Sequence, residues 1–287
     1  MSNSKAKILD REIIELKDSQ YRMIESGWGK ETVENSIVEK ITYLSDGLKV
    51  KGYIAYPKNP TRKYPCIIWN RGGFGDKGAI DAFTAKGIFG QLASWGYFVF
   101  ASQYRGNAGG EGKDEFGGED VNDVLNIIPL ADEFDFADKE NWGIEGWSRG
   151  GMMTYLTLTK SEKFKCAVVV AGIANLRCSS DESPFMRKLF EAIMGKYADA
   201  EFKQKCESRS IVNFPEKLSK TTAMLLIHGT GDNRVLAHDS LDLSYHLLKH
   251  KIPFRLVMLE GGDHFMRRHR KEVDEMRKMW YKKYLKT

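Results

Sequence analysis

The sequence predicts an α/β fold, a mostly parallel central sheet with helices on both faces and a helical insert late in the chain. Short, almost uninterrupted apolar runs recur along it, and segments with helical spacing lie between most of them. Runs without alternation suit strands covered on both faces, and strands that alternate with helices pair in parallel. One long interval, residues 172–221, breaks this rhythm and marks the insert.

Taken in order, residues 8–26 have helical spacing, with Ile13, Leu16 and Ile24 set against Glu12, Glu15, Lys17 and Asp18 before Gly27 and Gly29 end the pattern. Residues 1–37 are therefore read as an N-terminal helical extension to a main domain over 38–287. From Val38 the period shortens to two. Val50, Gly52, Ile54 and Tyr56 alternate with Lys49, Lys51, Tyr53 and Ala55, an antiparallel, edge-like strand that stops at Pro57. Six buried-type strands follow, at Cys66–Trp69, Tyr97–Ala101, Trp142–Trp147, Cys166–Ala171, Ala223–Ile227 and Phe254–Leu259. Helices are expected between them, at Phe83–Trp95, Asp120–Phe134, Gly150–Lys160 and His238–His250. In the insert, Phe185, Met186, Leu189, Phe190, Ile193, Met194 and Tyr197 form a helical apolar stripe. Such stripes pack as core more often than they line ligands, and both roles are compatible if the rim faces a pocket.

Composition narrows the function classes. With 42% hydrophobic and 29% charged residues in 287, the chain has ample core material and lies far from disordered compositions. Its apolar stretches are much shorter than the ~20 residues of a membrane helix, and Met1 to Lys5 lead into a charged segment with no apolar signal core. The net charge of +5 comes from residues 264–287, which hold nine Lys/Arg and three Asp/Glu in one helical pattern. That reads as a solvated face, so neither nucleic acid nor membrane is an expected partner. Cys66, Cys166, Cys178 and Cys206 show no paired spacing, which suits free thiols in the cytoplasm. A homo-oligomer could pair through the N-terminal helix, or that helix could fold back on its own domain.

Gly146-Trp147-Ser148-Arg149-Gly150 is a GxSxG segment at the end of a strand pattern and the start of a helical one. A sharp strand-to-helix elbow needs small neighbours and projects the serine hydroxyl above the sheet edge. A serine hydroxyl needs a base, and the base needs an orienting carboxylate. Asp232 directly follows the strand Ala223–Ile227 and His264 follows Phe254–Leu259, so both loops open at the same carboxyl edge as Ser148. The order Ser, Asp, His is that of α/β-hydrolases. His228 reads as a packed turn residue, and His246 with His250 as a solvated helix face lacking a third metal ligand. His269, among Arg267, Arg268 and Arg270, has no evident carboxylate partner. Asp263 is too close to His264 in sequence to swing beneath its ring.

Together with Trp69-Asn70-Arg71-Gly72-Gly73-Phe74-Gly75, Gln103-Tyr104-Arg105-Gly106-Asn107, Phe116 to Val124 and Ser208-Arg209-Ser210, these segments resemble the catalytic domain of prolyl oligopeptidase family serine peptidases, from about residue 38 onward. The resemblance implies Ser148 as nucleophile, Asp232 as orienting acid and His264 as base, with no metal or organic cofactor. The segment before Val38 is too short for the β-propeller of the larger peptidases, so their propeller-based selection of peptides is not carried over. Arg71 stands where prolyl oligopeptidases have a tyrosine that helps the oxyanion hole and other members a histidine. The expected oxyanion donors are the Arg149 amide and the Gly72 amide, with the Arg71 guanidinium as the alternative. Trp147, Phe185 and Phe190 are the candidate substrate-binding side chains. The expected function is hydrolysis of a peptide, aminoacyl or small ester or amide bond in a small molecule or short peptide through an acyl-enzyme. The alternatives are a carboxylesterase for small esters and a non-catalytic hydrolase-fold binder.

Overall fold

The computed structural model describes residues 6–285. They form two compact units: the described residues up to Asp114 with Glu119–Gly143 and Leu285, and a second built from Glu115–Gly118 and Ile144–Tyr284. The first carries strands β1 (Ile8–Ile13), β2 (Ser36–Ser45), β3 (Leu48–Pro57), β4 (Tyr64–Asn70) and β5 (Phe98–Ser102). Strand β6 (Ala137–Trp147) begins in the first unit and ends in the second. Strand order in the first unit is β1-β2-β3-β5-β4-β6. Its outer part is antiparallel, and the pairing turns parallel between β4 and β5. Every residue of β4 and β5 is buried, which is why their sequences show no alternation.

Residues 8–13 depart from the helix expected there. They form β1, paired antiparallel to β2 from Ile8↔Tyr43 to Ile13↔Glu39. The available edge of β2 supplies backbone partners that outweigh a weak local preference, although β1 itself is almost wholly exposed. The helix begins later, as α1 (Asp18–Trp28), followed by α2 (Lys30–Glu34). It folds back on its own unit: Trp28 meets Phe83 edge-on at 6.0 Å, on helix α3 (Ala82–Ser94). The segment 120–134 is also not one helix. It breaks into α4 (Val121–Leu125) and a 3₁₀ turn at Ile128–Glu133, because Pro129 lacks an N–H and disfavours helical geometry before it.

In the second unit the end of β6 is followed by α5 (Arg149–Leu158), β7 (Phe164–Val170), β8 (Ala223–Gly229), α9 (His238–Lys249), β9 (Phe254–Leu259) and α10 (Arg270–Tyr284). Order is β6-β7-β8-β9, with β7, β8 and β9 parallel. Between β7 and β8 the insert folds as α6 (Leu176–Glu182), α7 (Pro184–Met194) and α8 (Ala200–Glu207). Its base is fastened by the buried Asp239 carboxylate at the start of α9, which accepts from the Ala174 amide at 2.7 Å, the Asn175 amide at 2.6 Å and the Ser179 hydroxyl at 2.7 Å. Among the described residues no helix is long and apolar enough to cross a membrane.

Candidate active site

Strand β6 ends at Trp147 and α5 begins at Arg149, leaving Ser148 between them at φ 57°, ψ −121°. A non-glycine residue there stores on the order of 1–3 kcal/mol of backbone strain, which the surroundings must hold. The Ser148 amide donates to Val170 O at 3.0 Å, and its carbonyl accepts from the Gly151 amide at 2.9 Å. The turn closes so tightly that a Cβ on Gly146 would lie 2.0 Å from Gly150 O. Glycine is required there by contact, not by dihedral angle.

The ends of the next strands are stitched to the same edge. Ala171 N donates to Ile227 O at 2.9 Å and Thr230 N to Leu259 O at 2.9 Å, so the loops after β6, β7, β8 and β9 emerge together. A Cβ on Gly229 would come within 2.1 Å of Gly262 O, which brings the Asp232 and His264 loops into direct backbone contact. On those loops Asp232 Oδ2 lies 2.7 Å from His264 Nδ1. Asp232 Oδ1 accepts from the Arg234 amide at 2.9 Å and the Val235 amide at 3.1 Å. Burial alone would raise this carboxyl. Hydrogen bonds from His228 and His264, the charge of His264 and the Arg234 amide outweigh it and hold Asp232 well below the usual carboxylate range. His264 is 10% exposed at its side chain, screened yet open on one side.

The competing groups have other occupations. His228 is buried, with Nδ1 2.7 Å from the Ser240 hydroxyl and Nε2 2.9 Å from Val235 O, and it stands 3.5 Å from Asp232 as a second support for the acid. Asp263 is paired with Arg267 at 2.8 Å. His269 does have a carboxylate partner, contrary to expectation: Glu272, three residues ahead in the first turn of α10, lies 3.2 Å from its Nδ1.

The remaining expected residues fare differently. Arg149 places its amide in the first turn of α5, where backbone N–H groups point out of the helix end. Its buried guanidinium lies 4.7 Å from the Phe116 ring centre. Arg71, in the first unit, is buried and committed to its own surroundings. Nε donates to Gln103 O at 3.0 Å, Nη1 to Gly72 O at 3.2 Å, and Nη2 faces Asp114 at 3.8 Å. Gly72 is half-buried on the same loop, and among the described residues its N–H meets no acceptor. The guanidinium thus serves as a brace for the loop. Trp147 is half-buried, with its indole N–H given to Glu145 Oε1 at 3.0 Å. The insert's stripe divides. Phe190 is 0% exposed and meets Phe116 edge-on at 5.7 Å, so it is core of the second unit and not a rim residue; Phe185 is 53% exposed.

Two groups went unnoticed in the sequence. Arg234 stacks on Phe185 at 5.4 Å and on Phe265 at 4.8 Å, which makes an exposed aromatic rim beside His264. Buried Glu145 accepts from Tyr281 at 2.6 Å and pairs with Arg277 at 2.8 Å, tying α10 to the strand that presents Ser148. Only a spatial partner distinguishes either from an ordinary surface arginine or strand glutamate.

The family model described as the prolyl oligopeptidase family matches residues 86–287. The chain belongs to this family. It is 33% identical over 217 residues to the uncharacterized peptidase YtmA of Bacillus subtilis, covering 74% of this chain and 78% of that protein. It is 26% identical over 244 residues to a probable dipeptidyl-peptidase 5 of Aspergillus flavus, covering 80% of this chain and 33% of the relative. Among solved structures, Pyrococcus horikoshii acylaminoacyl peptidase superposes with a TM-score of 0.77 at 22% identity, over 96% of this chain and 45% of that one. The chain therefore spans under half of that peptidase and a third of the fungal one. The fold is that of α/β-hydrolase peptidases, and as a prolyl oligopeptidase family member the protein is a serine hydrolase.

Proposed function

We propose that the protein cleaves a peptide, aminoacyl or small amide or ester bond by acyl transfer from Ser148 to water. The observation that carries the reading is the 2.7 Å bond between Asp232 Oδ2 and His264 Nδ1, on loops stitched to the edge where Ser148 stands in its strained elbow. With Nδ1 held by the acid, the far ring nitrogen of His264 accepts the Ser148 proton as Oγ attacks the acyl carbon. The tetrahedral oxyanion draws on the Arg149 amide at the positive end of α5. As the intermediate collapses, the imidazolium returns its proton to the leaving amine or alcohol, and the same base then activates water against the acyl-enzyme. An unprotonated imidazole is required for this step.

The names of the relatives, dipeptidyl and acylaminoacyl peptidases, support a short peptide or aminoacyl substrate. The exposed Phe185, Arg234 and Phe265 rim supports an apolar side chain beside the scissile bond. The four unpaired cysteines fit a reducing compartment such as the cytoplasm.

A fluorophosphonate probe should label one site per chain and fail on Ser148→Ala; a native protein that does not react is a binder on a hydrolase fold, and the proposal falls. Comparing kcat/KM on aminoacyl arylamides with that on acetyl esters then separates peptidase from esterase. Phe185→Asp should lower the relative rate on substrates with apolar acyl groups at unchanged stability, whereas Phe190→Asp should unfold the second unit. Equal effects of the two on a thermal melt would remove Phe185 from the rim.

A further inference from the structure

Beyond the hydrolytic centre, the second unit brings three different metal-binding atoms together where the insert meets α9. Cys178 and Glu182 are one turn apart on α6, and His238 is the first residue of α9. One ligand atom from each lies within 4.8 Å of the others. His238 Nδ1 is 3.1 and 3.3 Å from the two Glu182 oxygens. A tetrahedral zinc ion with Zn–S about 2.3 Å and Zn–N or Zn–O about 2.0–2.2 Å needs its ligands about 3.3–3.8 Å apart. The three ligand atoms already lie near that spacing, and His238 and Glu182 are on the surface, where a cation can reach them.

From this juxtaposition we infer that Cys178, Glu182 and His238 form a site for a zinc-type divalent cation, with solvent as the fourth ligand, and that the bound ion staples α6 of the insert to α9. Thiolate, imidazole and carboxylate is a donor set that suits zinc and cobalt and disfavours magnesium or calcium. The local field has the right sign. Glu182 belongs to the ligand set, and the carboxylates of Asp239 and Asp242 add to the negative field at Cys178, which attracts a divalent cation. When the ion binds, Sγ forms a bond to the metal and its proton leaves to solvent. Cys178 is also the one cysteine among the described residues that is not buried, so a thiolate signal is attributable to it.

The site is separate from the triad and supplies no step of the hydrolysis. Its effect is on the hold of α6, which already hangs on α9 through the Ser179 to Asp239 bond.

Cobalt(II) is the probe, added to the full chain kept reduced by a non-chelating phosphine. One equivalent should produce the intense near-ultraviolet thiolate-to-cobalt absorption and raise the apparent Tm, and zinc should displace it. Cys178→Ser should abolish the absorption, and Glu182→Gln or His238→Ala should weaken binding at least tenfold. Fluorophosphonate labelling of Ser148 at the native rate shows that each variant is folded. No thiolate band at saturating cobalt, or a band that survives in Cys178→Ser, overturns the site. A Tm shift of equal size in the native chain and all three variants overturns it as well, since the ion is then bound elsewhere.

Discussion

Asp232→Asn should keep its fold and lose activity on the order of 10⁴-fold in kcat, the size of effect seen when the acid of such a triad becomes an amide. The reason lies in which atoms donate. Asp232 Oδ1 accepts two backbone amides, and an asparagine oxygen placed there keeps both. Its NH₂ then faces His264 Nδ1, where the native carboxylate accepts at 2.7 Å. Two donors cannot face each other, so the imidazole carries its proton on the other nitrogen, which can no longer accept from Ser148. KM should change little, because no substrate contact is removed. Steady-state rates on an activated ester beside a circular dichroism spectrum check both halves of the expectation. Activity within tenfold of native would place the acid elsewhere, and Asp263, now held by Arg267, would be the next candidate. The depressed carboxyl has a stability consequence too. Its folded value lies below the unfolded value of about 4, so its contribution is present above that pH and lost as pH falls below it. Acid unfolding of Asp232→Asn should accordingly begin from a lower stability and respond less steeply between pH 4 and 2.

The inner strands were legible because burial on both faces leaves a continuous apolar run, as in the fully buried β4 and β8. That Ser148, Asp232 and His264 stand on loops at one strand edge was legible for a related reason. Each directly follows such a strand, and parallel strands place their loops at one edge. Two features at the chain's start were harder to read. Residues 8–13 are almost all exposed, so no periodicity marks a strand whose existence depends on the β2 edge. The β2–β3 hairpin did carry a signal, Asp46-Gly47 with φ of 50° and 82°, the residue pair that a tight two-residue turn selects. The Phe185 to Tyr197 stripe reads the same whether a residue faces core or solvent at its border. Phe190 and Phe185 differ by five positions, enough to turn one inward onto Phe116 and leave the other outside. Arg234 and Glu145 have no local pattern at all, since their partners come from distant segments.

Arg277→Met should destabilise the second unit by about 3–5 kcal/mol, the cost of removing one partner from a buried charge pair. Glu145 is fully buried on β6 and Arg277 nearly so on α10, 2.8 Å apart. Burial works against the Arg277 charge, and the nearby Glu145, then Asp274 and Tyr281, more than restore it, so the guanidinium stays charged inside the unit. Tyr281 at 2.6 Å and Trp147 at 3.0 Å complete the donors to the carboxylate. With methionine at 277, the carboxylate keeps those two neutral donors and loses the Arg277 cation, the contact that offsets its desolvation. Glu145→Gln should cost less, because no negative charge is stranded: with its amide oxygen at the Oε1 position it still accepts from Trp147 and Arg277, and its NH₂ at the Oε2 position donates to the Tyr281 hydroxyl oxygen. The double variant should be more stable than Arg277→Met alone, and the cycle over the four proteins should show a coupling of about 1 kcal/mol or more. Because Trp147 precedes Ser148 and its indole is held by Glu145, Arg277→Met should also reduce kcat more than it raises KM, whereas Glu145→Gln, which retains an acceptor for the indole, should stay closer to native. Urea unfolding of the four proteins, followed by far-ultraviolet dichroism, measures the cycle. A cost below 1 kcal/mol for Arg277→Met would mean that water reaches Glu145, and the anchoring of the elbow through α10 would be wrong.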